Sequence, residues 1–355
     1  MATRKEYDGY DAATSITSND LIKYKDGTSG KVYKITEANL SAQVQDDFMA
    51  SDYKSTDGTL ADNSDDVIPT EKAVKTYVDA KADIKGAYFS IVDASGTPAE
   101  NGASLLAEYA RVKALGLALD ADTRYTLYIP AGQYDLTADL VVDTPYLDVR
   151  SLNGECSVYL TSNTIDVTAD YVNVTGIDVG TQRFRGCNNL ANIVITNCHG
   201  GDYSFGGYGE TASGTFTNCT GGEMAFGGGG GAASGTFTNC TGGEIAFGGG
   251  SGTASGTFIN CTGGYRSFGG GGTASGIFEN CVSSNESFGG GGGIASGTFK
   301  NCTGGYWSFG GDGVASGIFL WCRLTAGSFP ALTGAGKQRM CLKGDYTEVN
   351  ADGPD

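Results

Sequence analysis

The chain of 355 residues is poor in the residue types on which many enzymes depend. It contains 1 histidine, 2 tryptophans, 4 methionines and 6 prolines. Because His199 is the only histidine, a histidine-based catalytic triad is disfavoured and a metal site with several histidines is excluded. The sequence also contains no C-x-x-C pair of the kind that holds structural zinc.

Long apolar runs and clustered positive charge are absent as well. No stretch of about 18 apolar residues occurs, so we expect no transmembrane helix. The first residues, MATRKEYDGYDAATS, lack an apolar signal core, which predicts synthesis and folding in a cytoplasm. With 23 Lys and Arg against 40 Asp and Glu, the net charge is -17, which argues against binding nucleic acid.

Seven of the ten cysteines follow a regular spacing. They are separated by 20 or 21 residues: Cys198, Cys219, Cys240, Cys261, Cys281, Cys302 and Cys322. A thiol that occurs once per period is one structural position occupied again in each repeat. We therefore predict mainly reduced thiols that fill a core, while a disulfide between neighbouring repeats stays open.

Other residues repeat in the same register. The segment SGTFTNCTGG occupies residues 213–222 and again 234–243. Glycine tracts oppose a helix, and a period of 20–21 residues fits one coil of a parallel β-helix. The repeats place two phenylalanine series and one asparagine series at fixed positions: Phe205, Phe226, Phe247, Phe268, Phe288, Phe309, Phe329; Phe216, Phe237, Phe258, Phe278, Phe299, Phe319; Asn197, Asn218, Asn239, Asn260, Asn280, Asn301.

Each coil is predicted to contain four parts. GEMAF forms a strand, GGGGG a turn, SGTFT a second strand and NCTGG a bend, with Asn in the left-handed conformation. Stacking buries Phe on Phe and Cys on Cys, which a single coil cannot do alone. The fold class is therefore mainly β: a right-handed parallel β-helix of 20–21 residues per coil, its handedness taken from the resemblance given below.

The segments before the repeats have other patterns. Residues 126–154 alternate as short strands, and apolar residues from Leu105 to Leu115 recur at helix spacing, which predicts a helix that caps the first coil. Residues 21–36 alternate around Asp26 and Gly27 as a hairpin. Pro69 and Thr70 can open a short helix within residues 65–81.

These patterns divide the chain into five parts. We predict an N-terminal region with the hairpin at residues 1–60 and a short helical neck at 61–85, which the resemblance given below makes a virion-attachment region and a trimeric neck. A capping helix and lead-in follow at 86–125. The β-helix covers 126–330, with glycine-rich repeats from about residue 198, and a C-terminal cap or tail covers 331–355.

Two segments resemble known families. The helix followed by YIPAGQY at residues 128–134 resembles the start of the right-handed β-helix in the pectate-lyase-like superfamily, which phage tailspikes and many tail fibres share. IPTEKAVKTYVD at residues 68–79 resembles a segment recurrent in bacteriophage tail fibres. The resemblance implies a homotrimeric virion protein whose front binds phage tail or baseplate proteins and whose rod meets the bacterial surface. It implies no cofactor.

One repeat column carries acidic residues. Asp202, Glu223 and Glu244 stand three places before the first phenylalanine series, so stacking would set them about 5 Å apart. Glu223 and Glu244 are candidates for glycoside hydrolysis, and all three are candidates for holding calcium. The third interpretation is a solvated acidic stripe, which any repeat produces when one letter is copied.

Aromatic side chains give the candidate glycan-binding residues: Tyr203, Tyr265, Tyr306 and Trp307. Their flat faces suit sugar rings if they point outward. For the column of Tyr203, Met224 and Trp307, the pattern leaves the direction open, because strand alternation places it inside and its variability places it outside.

Three functions follow as expectations. The first is non-enzymatic recognition of a bacterial surface receptor, a glycan, by a phage tail fibre or tailspike. The second is a depolymerase that cleaves that glycan. The third is a purely structural virion component.

Overall fold

The computed structural model describes residues 22–25, 32–35, 88–187, 190–207, 209–334, 336–343, 345 and 348–352. The chain divides into two units, residues 1–85 and 86–355. In the first, β1 (Ile22–Lys25) pairs antiparallel with β2 (Val32–Ile35), as the hairpin pattern predicts. The short helix predicted within residues 65–81 lies outside the described residues, as does most of the predicted attachment region and neck.

The second unit is a parallel β-solenoid of about ten turns, which confirms the predicted mainly-β solenoid. Its right-handed sense stays a prediction. Equivalent strands of successive coils pair parallel and in register, for example Phe237 with Phe258. The largest sheet contains β3 (Phe89–Ile91), β4 (Tyr125–Ile129), β7 (Leu147–Ser151), β10 (Asn173–Thr175), β13 (Val194–Thr196), β15 (Thr215–Thr217), β17 (Thr236–Thr238), β19 (Thr257–Ile259), β21 (Ile277–Glu279), β23 (Thr298–Lys300), β24 (Thr303–Gly304), β26 (Ile318–Leu320), β27 (Arg323–Leu324), β28 (Lys337–Leu342) and β29 (Glu348–Asp352).

Three smaller sheets form the other sides of the coil. Two have three strands each and serve the early coils: β5 (Gly132–Asp135), β8 (Val158–Ser162), β11 (Ile177–Asp178); and β6 (Leu140–Val142), β9 (Ile165–Val167), β12 (Phe184–Gly186). The third serves the glycine-rich repeats: β14 (Thr211–Ala212), β16 (Ala232–Ala233), β18 (Thr253–Ala254), β20 (Thr273–Ala274), β22 (Ile294–Ala295) and β25 (Val314–Ala315).

The predicted capping helix is present as α1 (Pro98–Ala114). It begins before the periodic apolar residues because the Thr97 side chain and Glu100 form a capping box, with Pro98 in the first turn. Leu105 is buried, and the Tyr109 hydroxyl donates to Asp143 Oδ1 at 2.8 Å. The helix therefore covers the first coil, as a solenoid end requires.

The phenylalanines form two continuous stacks in the core. Phe237 lies 4.9 Å from Phe258 at an interplanar angle of 4°, which is the coil spacing itself. Phe237 also meets Phe247 of the other stack edge-on, with centroids 5.7 Å apart. Stacked and edge-to-face contacts are the favourable aromatic geometries, so each added coil extends both at once.

Cysteine and asparagine occupy the predicted positions. All ten cysteines are free thiols, and Cys240 Sγ donates to the Phe216 carbonyl at 3.4 Å. Asn239 has a φ of +54°, and its Nδ2 donates to Asn218 Oδ1 at 3.0 Å. The thiol thus fills the core while the amide makes the bend and bridges the coils.

The GEMAF prediction is wrong. Residues 223–227 form a turn, in which Met224 and Phe226 have φ values of +52° and +51°. The segment still connects coils, because the Met224 amide donates to the Glu244 carbonyl of the following coil at 2.9 Å. The Phe side chain is buried as predicted, so the pattern placed the side chain correctly and the backbone incorrectly.

The solenoid continues past residue 330, into the predicted tail. β28 pairs parallel with β26, and Cys341 Sγ donates to the Phe319 carbonyl at 3.4 Å. Cys341 therefore extends the thiol ladder by one coil beyond Cys322. β29 then pairs antiparallel with β28.

Candidate functional site

The structure shows the direction of the repeat column that contains Met224 and Trp307, which the sequence left open. Ala225 and Ser267, directly before the first-series Phe, are buried, whereas Met224 and Arg266 are half-buried and Trp307 is exposed. The left-handed backbone at each of these outer residues turns the side chain outward and lets a small residue point in. The variable column therefore faces solvent.

The acidic column lies on the same outer side. The side chains of Asp202, Glu223 and Glu244 are exposed. Asp202 Oδ1 accepts a hydrogen bond of 2.7 Å from the Glu223 amide, so the shorter carboxylate bridges two coils instead of pairing with the next carboxylate. Among the described residues no cluster of three or more His, Cys, Asp or Glu is arranged to hold a metal ion. Catalysis by Glu223 and Glu244 stays a prediction.

Two of the predicted glycan-binding aromatics are covered by arginine. The Arg183 guanidinium carbon lies 4.8 Å from the Tyr203 ring centroid, and that of Arg266 lies 5.2 Å from the Tyr265 centroid. Arg266 Nε also donates to Glu286 Oε2 at 2.6 Å, and a hydrogen bond to Glu286 raises the pKa of Tyr265. One ring face of each tyrosine is therefore occupied.

Tyr306 and Trp307, which stand in neighbouring columns, form the open aromatic surface. Their ring centroids are 4.7 Å apart with an interplanar angle of 34°. Tyr306 is 45% exposed and Trp307 40% exposed. The Tyr306 amide donates to Asn285 Oδ1 at 2.8 Å, and Trp307 has a φ of +55°. The backbone thus holds two neighbouring rings on one outward corner.

A groove of about 850 Å³ lies where the strands of the early coils give way to the repeats. β6, β9 and β12 stack here, with Asp166 in register with Arg185. In the next coil a turn replaces the strand, and Gly206 and Gly207 line the groove without side chains. The lining residues that carry charge or an aromatic ring are Asp166, Arg183, Arg185, Tyr203 and Glu210.

The groove has a distinctive electrostatic environment. Burial raises the pKa of the half-buried Asp166 carboxyl, Arg185 opposes this rise, and Asp139 and Glu210 add to it. Arg185 Nη1 lies 3.4 Å from Asp139 Oδ2. Asp166 therefore retains a proton to a higher pH than an exposed aspartate does.

A second cavity of about 370 Å³ contains Cys156 and His199. His199 Nδ1 lies 2.8 Å from Asp178 Oδ1. Burial raises the pKa of the Cys156 thiol to about 11. A nucleophilic cysteine needs the opposite shift, so this set of residues does not have the properties of an activated thiol.

The sequence reasoning missed most of the groove. Of its charged and aromatic residues only Tyr203 was a candidate, and the other predicted aromatics lie on later coils. One signal was available: Arg183 and Arg185 are the only cations between Arg150 and Arg266.

No family model, curated protein or solved structure matches this chain. Within the described part, no helix has the length and apolar character needed to cross a membrane.

Proposed function

We propose that this protein is a bacteriophage tail fibre or tailspike protein that recognises a glycan on the bacterial surface through the side of its β-solenoid. The observation that carries the recognition is the exposed pair Tyr306 and Trp307. Two adjoining rings held by the backbone lose little conformational entropy when a sugar ring covers them. A solenoid supports this use, since each coil adds an outer position that varies while the core stays the same.

A glycan screen with matched variants tests the recognition. The wild-type protein is screened on polysaccharides from host surfaces, and Trp307→Ala and Tyr306→Ala are compared on the glycan that binds. We expect each to weaken binding at least about tenfold, as loss of a central aromatic contact does. Trp321→Ala is the control, because Trp321 is also an exposed aromatic residue but stands in another column. Unchanged affinity in both tyrosine and tryptophan variants would contradict the proposal.

The virion assignment rests on two sequence segments, residues 68–79 and 128–134, that resemble segments found in phage tail fibres and tailspikes. It includes a homotrimer that attaches to tail or baseplate proteins through residues 1–85. Light scattering on the full chain measures the number of copies. Phage particles that encode a chain lacking residues 1–85 test the attachment. Particles that still carry the truncated chain would overturn it.

A second candidate, polysaccharide cleavage, is favoured by the groove. Asp166 and Glu210 line the same groove, and the raised pKa of Asp166 suits a general acid in glycoside hydrolysis. Release of reducing ends from the bound glycan is the measurement. Cleavage that persists in both Asp166→Asn and Glu210→Gln, or no cleavage by the wild-type protein, excludes this candidate.

A further inference from the structure

The positive charge of the central solenoid is concentrated in the groove. Between Arg150 and Arg266 the sequence contains two cationic residues, Arg183 and Arg185, and both line it. The chain as a whole has a net charge of -17, so two arginines in one groove contrast with its overall acidic charge. The groove is therefore the part of the central solenoid where an anionic group finds a positive partner.

The two arginines are in different situations. Arg185 is paired with Asp139 across 3.4 Å. Arg183 has its guanidinium over the Tyr203 ring, and it has no ion-pair partner among the residues that the structure describes. The guanidinium packs against the ring, and its N–H groups donate to no residue in the described part of the chain. A planar guanidinium matches a carboxylate, which accepts two parallel hydrogen bonds.

Asp166 supplies a carboxyl group that can form hydrogen bonds beside the arginines. Its half-buried carboxyl forms no hydrogen bond within the described part of the chain, and it lies beside Arg185 in the sheet register. A carboxyl group at such a place can accept from, and when protonated donate to, the hydroxyl groups of a sugar. Burial favours its protonated form, which reduces repulsion toward an anion.

We propose that the groove binds an acidic saccharide, with Arg183 pairing with a sugar carboxylate and Asp166 hydrogen-bonding neighbouring hydroxyl groups. The saccharide part of this proposal rests on the glycan-recognition function, whereas the anion partner follows from the groove alone. The site is separate from the pair Tyr306 and Trp307. A groove of about 850 Å³ accommodates a short oligosaccharide segment.

Binding of defined acidic oligosaccharides to the full chain tests the proposal. Oligomers of galacturonate, hyaluronate and sialate are each compared with their neutral methyl esters by calorimetry. We expect at least one acid form to bind about tenfold or more tightly than its ester, and Arg183→Gln to remove that preference. Arg183→Lys should restore part of it, because the charge returns without the planar fork. Arg266→Gln is the matched control, because it removes a guanidinium over Tyr265 outside the groove.

Two results would overturn the proposal. One is a wild-type protein that binds no acid form more tightly than its ester, and the other is an acid preference that survives Arg183→Gln. Free glucuronate competing better than inorganic phosphate supports a carboxylate site, and the reverse order overturns it. A Trp307→Ala variant that loses the surface glycan but keeps the acid preference separates this site from the recognition surface. Thermal unfolding checks that each variant folds.

Discussion

Asn239 bridges two coils while occupying a backbone conformation that most residues avoid: its Nδ2 lies 3.0 Å from Asn218 Oδ1, and its φ is +54°. Asn260 Nδ2 donates to Asn239 Oδ1 at 3.1 Å, so each amide both donates and accepts along the solenoid. One residue type thus serves as bend and bridge, which explains its return in six successive coils, from Asn197 to Asn301.

Two substitutions separate these roles. Asn239→Gly tolerates the left-handed conformation but loses the two side-chain amide hydrogen bonds. Asn239→Ala loses the same hydrogen bonds and is also strained in the left-handed conformation. We expect Asn239→Gly to lower the free energy of unfolding by about 1–2 kcal/mol, and Asn239→Ala by about 1 kcal/mol more. Urea unfolding measures both. Equal stability of the two variants would mean that the backbone conformation costs nothing here.

Gly256 is predicted to be irreplaceable at the corner before β19. A Cβ atom at this residue would lie 2.1 Å from the Gly235 carbonyl oxygen of the preceding coil, a backbone atom that cannot move without separating the coils. We expect Gly256→Ala to destabilise the protein by about 3 kcal/mol or more. The neighbouring Ser255→Ala is the control, and it should change stability by less than about 0.5 kcal/mol because Ser255 is exposed. A Gly256→Ala protein as stable as this control would show that the coils can separate freely.

Thiol labelling should distinguish Cys156 from the ladder. Cys156 is the half-buried cysteine, and the other nine are buried. We expect a thiol reagent to modify one site in the folded protein and ten in denaturant. Since burial raises the pKa of Cys156 to about 11, its thiolate is scarce at neutral pH, and the labelling rate should rise about tenfold per pH unit from pH 8 to 10. Cys156→Ser should abolish labelling of the folded protein. A rate that levels off below pH 9 would contradict the raised pKa.

Acidic-saccharide binding in the groove should strengthen as the pH falls. Because the pKa of Asp166 is raised, this residue gains a proton at a higher pH than an exposed aspartate does, which removes a negative charge beside Arg185, Asp139 and Glu210. We expect affinity to rise as the pH is lowered from 7 toward the range in which an exposed aspartate titrates, and the rise to be smaller in Asp166→Asn, which is neutral throughout. Glu210→Gln is the control for the other groove carboxylate. A pH dependence unchanged in Asp166→Asn would assign it to another group.

The core of the repeats was predictable because copies of one residue must occupy copies of one position. The phenylalanine, cysteine and asparagine series fixed the period, and a period of 20 or 21 residues with glycine tracts favours a solenoid over helical repeats. Phe258 and Cys261 are buried as this argument requires. The capping box of Thr97 and Glu100 and the apolar spacing after it likewise specify a helix locally.

The backbone of each turn depended on tertiary contacts. GEMAF has strand-forming residues, yet Met224 and Phe226 adopt left-handed conformations, because the hydrogen bonds between coils and the stacked Phe226 ring outweigh local preference. The left-handed conformation of Met224 and its equivalents turned the variable column outward. It also set Trp307 beside Tyr306 as an exposed surface.

The sequence alone determined the parallel coil, its core ladders and its capped end, since repetition and hydrophobic spacing act on neighbours that are known in advance. Only the tertiary structure decided the groove. Asp166 and Arg183 belong to the irregular coils and Tyr203 to the first repeat, so the three share no motif, and the coil lengths set which residues become neighbours along the solenoid. Side chains meet there because strands end and glycine turns begin, a junction that no single stretch of the chain encodes.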